Sequence, residues 1–179
     1  AEARRAGDVV RRLRDFFRTG ATKLETVALR QIIEAAAEHY KTKAQQTEIQ
    51  FLVAEVPEIM LLADQLQLEV VLRNLLSNAF EAVAVADVTG RQVSIHAERL
   101  PGERVIICVE DSGAGLTSQD AERAFESFYS SKSSGMGLGL VISRAIAETH
   151  GGSLWGEVAD HGVFKLVLPI QESPKTPTS

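Results

Sequence analysis

A chain of 179 residues with 45% hydrophobic and 24% charged side chains and a net charge of −5 has the makeup of one soluble globular domain with a small appendage. Its mildly acidic balance argues against nucleic acid as the main partner, no apolar run reaches membrane-spanning length, and no secretory leader is visible. The lone cysteine, Cys108, rules out an intramolecular disulfide, suits a reducing cytoplasmic compartment and, inside Val105-Ile106-Ile107-Cys108-Val109, reads as a buried thiol.

Residues 1–18 repeat apolar side chains at helical spacing (Val9, Leu13, Phe16 and Val10, Phe17), with arginines on the other faces. Two apolar stripes on a charged helix suit packing against partner helices, so the chain reads as starting inside a longer protein. Gly20 in Thr19-Gly20-Ala21-Thr22 is a helix stop and the best domain boundary. A short strand is expected over 23–27 and an amphipathic helix over 29–45, with Ile32, Ile33, Ala36, Ala37 and Tyr40 inward. Strands follow at 48–53 and 59–62.

Asp64 can cap a helix over 65–86 that gathers Leu68, Leu72, Leu75, Leu76, Ala79 and Val83 on one side. Asn74, Asn78 and Glu81 fall together on the other. A polar stripe is ordinarily the wet face, yet asparagine is a poor helix former, so two of them at i, i+4 ask for a reason beyond solubility.

Strands at 92–99 and 104–110 form a hairpin, and the second runs into Asp111. One helical turn is expected around 121–128, then a Ser/Gly-rich segment over 127–135 and a helix over 138–150 closed by Gly151-Gly152. A hairpin at 153–158 and 163–168 turns at Asp160-His161-Gly162, and residues 171–179 read as a tail or cut linker. The alternation lacks a βαβ repeat, which favours an α+β sandwich with a mixed sheet. No phosphate-binding G-x-x-x-x-G-K-[ST] loop occurs.

Two glycine clusters remain: Asp111-Ser112-Gly113-Ala114-Gly115, and Gly135-Met136-Gly137-Leu138-Gly139-Leu140 opening onto a helix. Glycines spaced this way let backbone N–H groups approach an anion, and a helix start adds a favourable dipole. Behind the asparagine-bearing helix, they read as a nucleotide site.

In this order the motifs resemble the catalytic domain of sensor histidine kinases. Asn74-Leu75-Leu76-Ser77-Asn78-Ala79 is similar to their N box and Asp111-Ser112-Gly113-Ala114-Gly115 to their G1 box. Phe125-Glu126-Ser127-Phe128 is similar to the F box, and Gly135-Met136-Gly137-Leu138-Gly139-Leu140 to the G2 box. The resemblance covers roughly residues 22–170 and implies a Bergerat ATP-binding fold, a mixed sheet on three helices. Residues 1–20 would then end the second helix of a dimerisation and phosphotransfer hairpin, with 21–170 as the catalytic domain.

The resemblance also implies roles. Asp111, acceptor-only when ionised, would take the exocyclic amino group of adenine, with Gly113 and Gly115 letting the backbone pass the base. Asn78 would bind Mg²⁺, which prefers oxygen ligands. Gly135, Gly137, Leu138, Gly139 and Leu140 would cradle the phosphates of ATP, with Lys132 as a mobile charge and Phe125 and Phe128 anchoring a lid. Asn74 stands where related ATPases carry a water-activating glutamate, which favours phosphotransfer over hydrolysis. Glu81, where some relatives have lysine, would lie near the metal. None of His39, His96, His150 and His161 reads as the phosphoacceptor, which the resemblance puts on a hairpin helix outside this chain. Implied partners are that hairpin and a response-regulator receiver domain, with a homodimeric parent and a monomeric fragment. A Bergerat ATPase or serine kinase and a degenerate nucleotide-binding relay stay as alternatives.

Overall fold

The computed structural model describes residues 22–86, 90–126 and 137–170. The expected N-terminal helix and the tail lie outside them. Among the described residues eleven elements follow in order: β1 (Glu25–Ala28), α1 (Leu29–Thr47), β2 (Gln50–Val53), β3 (Met60–Ala63), α2 (Gln65–Val85), β4 (Gln92–Leu100), β5 (Arg104–Asp111), α3 (Ser118–Arg123), α4 (Gly139–Thr149), β6 (Ser153–Gly156) and β7 (Gly162–Pro169).

β1 and β3 pair as a separate antiparallel ribbon; the main sheet runs β2-β4-β5-β7-β6. Its β2–β4 pair is parallel and the others antiparallel, so the sheet is mixed as expected. One face packs on the helices. There Val93 and Ile95 of β4, Val105, Ile107 and Val109 of β5, and Leu166 and Leu168 of β7 meet Leu68, Leu72, Leu75, Leu76 and Val83 of α2 in one continuous core. The period-2 rows of the strands and the leucine stripe of α2 are what make this two-layer sandwich.

Three boundaries differ from the sequence pattern. Glu48, expected in a strand, ends α1 in the left-handed region at φ 53°, because the helix runs on to Thr47 and the chain must reverse before β2. The short helix begins earlier, at Ser118, because Thr117 accepts the Asp120 N–H as an N-cap. β6 stops at Gly156, and Ala159 bridges to Leu116.

Candidate functional site

β5 is the middle strand of the sheet, and its helix-facing row reads Val105, Ile107, Val109, Asp111. The row that builds the core therefore ends in a carboxylate. Asp111 is 6% exposed, and a buried carboxylate is costly unless hydrogen bonds hold it. The Gly113 N–H donates to its Oδ1 at 2.8 Å. From β7, Gly162 lies opposite it in register; a Cβ there would sit 1.9 Å from Oδ2. At Gly113 a Cβ would stand 2.6 Å from Oδ1 and 3.1 Å from the Ala82 Cβ on α2. The carboxylate is thus clasped by two glycines. Gly115, at φ +74°, is equally packed, since a Cβ there would lie 2.1 Å from the Ala159 carbonyl. Both turn glycines make room for the protein's own atoms.

α2 passes alongside. Its buried face includes Leu68, Val71, Leu72, Leu75, Leu76, Ala79, Phe80 and Val83, leaving Asn74, Asn78 and Ala82 as a half-buried stripe at i, i+4, i+8. Asp64 caps the helix as expected, accepting the Gln67 N–H at 3.1 Å. Each end of the stripe is pinned. Ala82 meets the Asp111 turn, and Asn74 meets the start of α4, where a Cβ on Gly139 would lie 2.4 Å from Asn74 Oδ1. Asn74 Nδ2 also donates to Ser143 Oγ at 3.0 Å. Between them stands Asn78. The ends of the stripe are eight residues apart, about 12 Å at the helical rise, the scale of a nucleoside triphosphate. Glu81 accepts from Ser77 Oγ at 2.8 Å on the exposed side.

At the far end Gly137 has φ +62°, a left-handed conformation that favours glycine, and Leu138 starts α4 by accepting the Ile142 N–H. Gly137, Leu138, Gly139 and Leu140 are half-buried. The first N–H groups of a helix lack intrahelical acceptors, so this end suits an anion. Lys132, Gly135 and Phe128 lie outside the described residues. Phe125 is buried, edge-on to Phe164 at 6.5 Å between ring centres, with the Arg144 guanidinium 3.5 Å above its ring. Arg144 is held in turn by the Leu154 carbonyl at 3.2 Å.

Two features escaped the sequence pattern. Gly162 belongs to the site because it faces Asp111, and only strand register reveals that. His161, on the exposed rim, pairs with Asp160 at 2.8 Å; this hydrogen bond raises the imidazole pKa above its ordinary value, helped by the charges of Asp160, Glu110 and Asp111. The other histidines take structural or surface positions as expected: His39 is exposed and His96 half-buried on a strand. His150 is buried, and its Nε2 accepts the Asp64 N–H at 3.0 Å, which puts its proton on Nδ1, donated to the Ile146 carbonyl at 2.8 Å.

A buried acceptor, an asparagine stripe and a glycine-led helix start, in line on one side of a mixed sheet, define the ATP-binding domains of the Bergerat class. The chain belongs to the histidine kinase-, DNA gyrase B-, and HSP90-like ATPase family, which matches residues 63–172. Within that family its relatives are sensor kinases. It is 34% identical over 174 residues to the sensor protein FixL of Bradyrhizobium diazoefficiens, covering 96% of this chain and 34% of FixL. It thus spans about a third of that relative's length. The catalytic domain of the histidine kinase ThkA, solved nucleotide-free, superposes with a TM-score of 0.72 at 28% identity, over 83% of this chain and 96% of that one. ThkA in complex with the response regulator protein TrrA shares the fold, at a TM-score of 0.77 and 22% identity over 95% of this chain and 48% of that one.

Proposed function

We propose that this chain binds Mg·ATP and presents the γ-phosphoryl group to a histidine on a dimerisation helix of the parent protein, for relay to a response-regulator aspartate. The observation that carries the reading is the clasped carboxylate of Asp111, 6% exposed, at one end of the Asn74–Asn78–Ala82 stripe. An ionised carboxylate only accepts hydrogen bonds, so its complement is a donor such as the amino group of adenine. Guanine offers a carbonyl oxygen at the same place, and two acceptors repel.

The donor set on the stripe fits magnesium. Asn78 offers a neutral oxygen at a half-buried position, midway between the base end and the phosphate end. Magnesium bound there would supply charge neutralisation to the phosphate oxygens. The residues of this chain position the substrate: Asp111 fixes the base, the Gly137–Leu140 helix start with Gly135 receives the phosphates, and Lys132 adds a positive charge. Asn74 contributes no general base. A neutral imidazole is already a nucleophile, so transfer to histidine needs positioning and charge stabilisation more than proton abstraction.

The parent would be a homodimer through the phosphotransfer hairpin, working in the cytoplasm. Sustained ATP hydrolysis is the competing reading, and the asparagine at position 74 disfavours it. The test mixes this chain and γ-labelled ATP with a separately made hairpin domain. Acid-labile phosphohistidine should appear on the hairpin and none on this chain alone. Stable label on this chain, or steady phosphate release without the hairpin, would overturn the proposal.

A further inference from the structure

α2 and α4 meet through a small polar junction. Asn74 Nδ2 donates to Ser143 Oγ at 3.0 Å, and Ser143 is 1% exposed. Gly139, one turn before Ser143 on the same face of α4, presses its bare Cα on the same amide; a Cβ would lie 2.4 Å from Oδ1, 2.9 Å from Nδ2 and 3.0 Å from Cγ. The amide of Asn74 therefore lies flat on a glycine while holding a hydroxyl four residues further along.

We infer that Asn74 is a positioning residue, whose bond to Ser143 sets where the first turn of α4 lies and where its free N–H groups point. This deepens the nucleotide reading above and rests on it. A buried hydroxyl needs a partner, and Asn74 supplies a donor through a planar group thin enough to lie on glycine. A glutamate could accept from the same hydroxyl, but it is one methylene longer, so its carboxylate would not rest where the Asn74 amide lies against Gly139. A mid-helix asparagine, unfavourable by propensity, has its reason here. The consequence is asymmetric. The phosphate end of the site hangs on the Asn74–Ser143 bond through α4, whereas the base end, Asp111, is held by β5 and β7 and does not.

The test is a calorimetric titration of the full chain with Mg·ATP and with adenosine, for the wild type, Ser143→Ala, Asn74→Ala and the double variant. A hydrogen bond of ordinary net strength predicts an ATP affinity about 3- to 10-fold lower for Ser143→Ala, with adenosine changed less than about twofold. The double variant should bind ATP no worse than Asn74→Ala alone, since both remove one bond. Wild-type ATP affinity in Ser143→Ala, equal losses for ATP and adenosine, or additive single losses would each overturn the inference while leaving nucleotide binding intact. A wild type that binds no ATP would instead sink the parent reading. Should Ser143→Ala fail to fold, Ser143→Cys, nearly the same size but with a thiol that is a poor acceptor, must show the same loss confined to ATP.

Discussion

Replacing Gly162 by alanine tests the site at a residue that no nucleotide needs to touch. In the β5–β7 register Gly162 faces Asp111, and its added Cβ would lie 1.9 Å from Oδ2, 2.3 Å from Cγ and 2.5 Å from Oδ1. Either the strands part or the carboxylate swings away. Overpacking costs about 1–3 kcal/mol, and losing the charge-assisted bond from Gly113 N–H costs about 1.5–3 kcal/mol. The two are alternatives rather than a sum, so the variant should be destabilised by about 1–3 kcal/mol, a fall in melting temperature of roughly 2–12 °C. Its ATP affinity should drop at least about tenfold, because the acceptor is displaced. In an Asp111→Ala background the methyl has room, and the same substitution should cost little. Thermal melts and ATP titrations of the two single variants and the double measure all of this. A Gly162→Ala protein that melts within about 1 °C of wild type and binds ATP unchanged would refute the clasp.

Two further outcomes concern the rim and the sheet. The bond to Asp160 raises the His161 pKa above 6.5, and the same bond lowers Asp160 below 3.8. The pair's contribution is therefore complete between about pH 3.8 and 6.5, fades as pH rises through the raised histidine value, and fades again as pH falls through the lowered aspartate value. Both groups are solvent-screened, so the readout is an NMR titration of the His161 ring. Its midpoint should lie above 6.5 and move down in Asp160→Asn; an unchanged midpoint would contradict the pairing. Burial pushes the Cys108 thiol up to about 11, so at pH 8 a disulfide reagent should label it far more slowly in the native chain than in denaturant. Equal rates would contradict its burial.

The sheet and its helices were legible because their signals are local. Alternation in Val93-Ser94-Ile95-His96-Ala97 fixes which face of β4 is inward, and the leucine spacing of α2 does the same for the helix; the unbroken apolar run Val105–Val109 marks β5 as a buried strand without choosing its face. Glu48 gave no local sign of its left-handed turn, since propensity would favour glycine there. The site was legible where motif residues are contiguous, as at Asp111–Gly115. It was hidden where partners are far apart: Ser143 is 69 residues from Asn74 and His150 is 86 from Asp64. Gly162 joins Asp111 only through β5–β7 register, which the hairpin turn alone does not specify.

The most direct measurement is titration of the Asp111→Asn chain with Mg·ATP and with Mg·GTP. An asparagine keeps the shape but removes the charge and brings an amide donor, so ATP affinity should fall roughly 10- to 150-fold and the preference over GTP should shrink or reverse. Unchanged affinity and unchanged preference would mean that the base is read elsewhere.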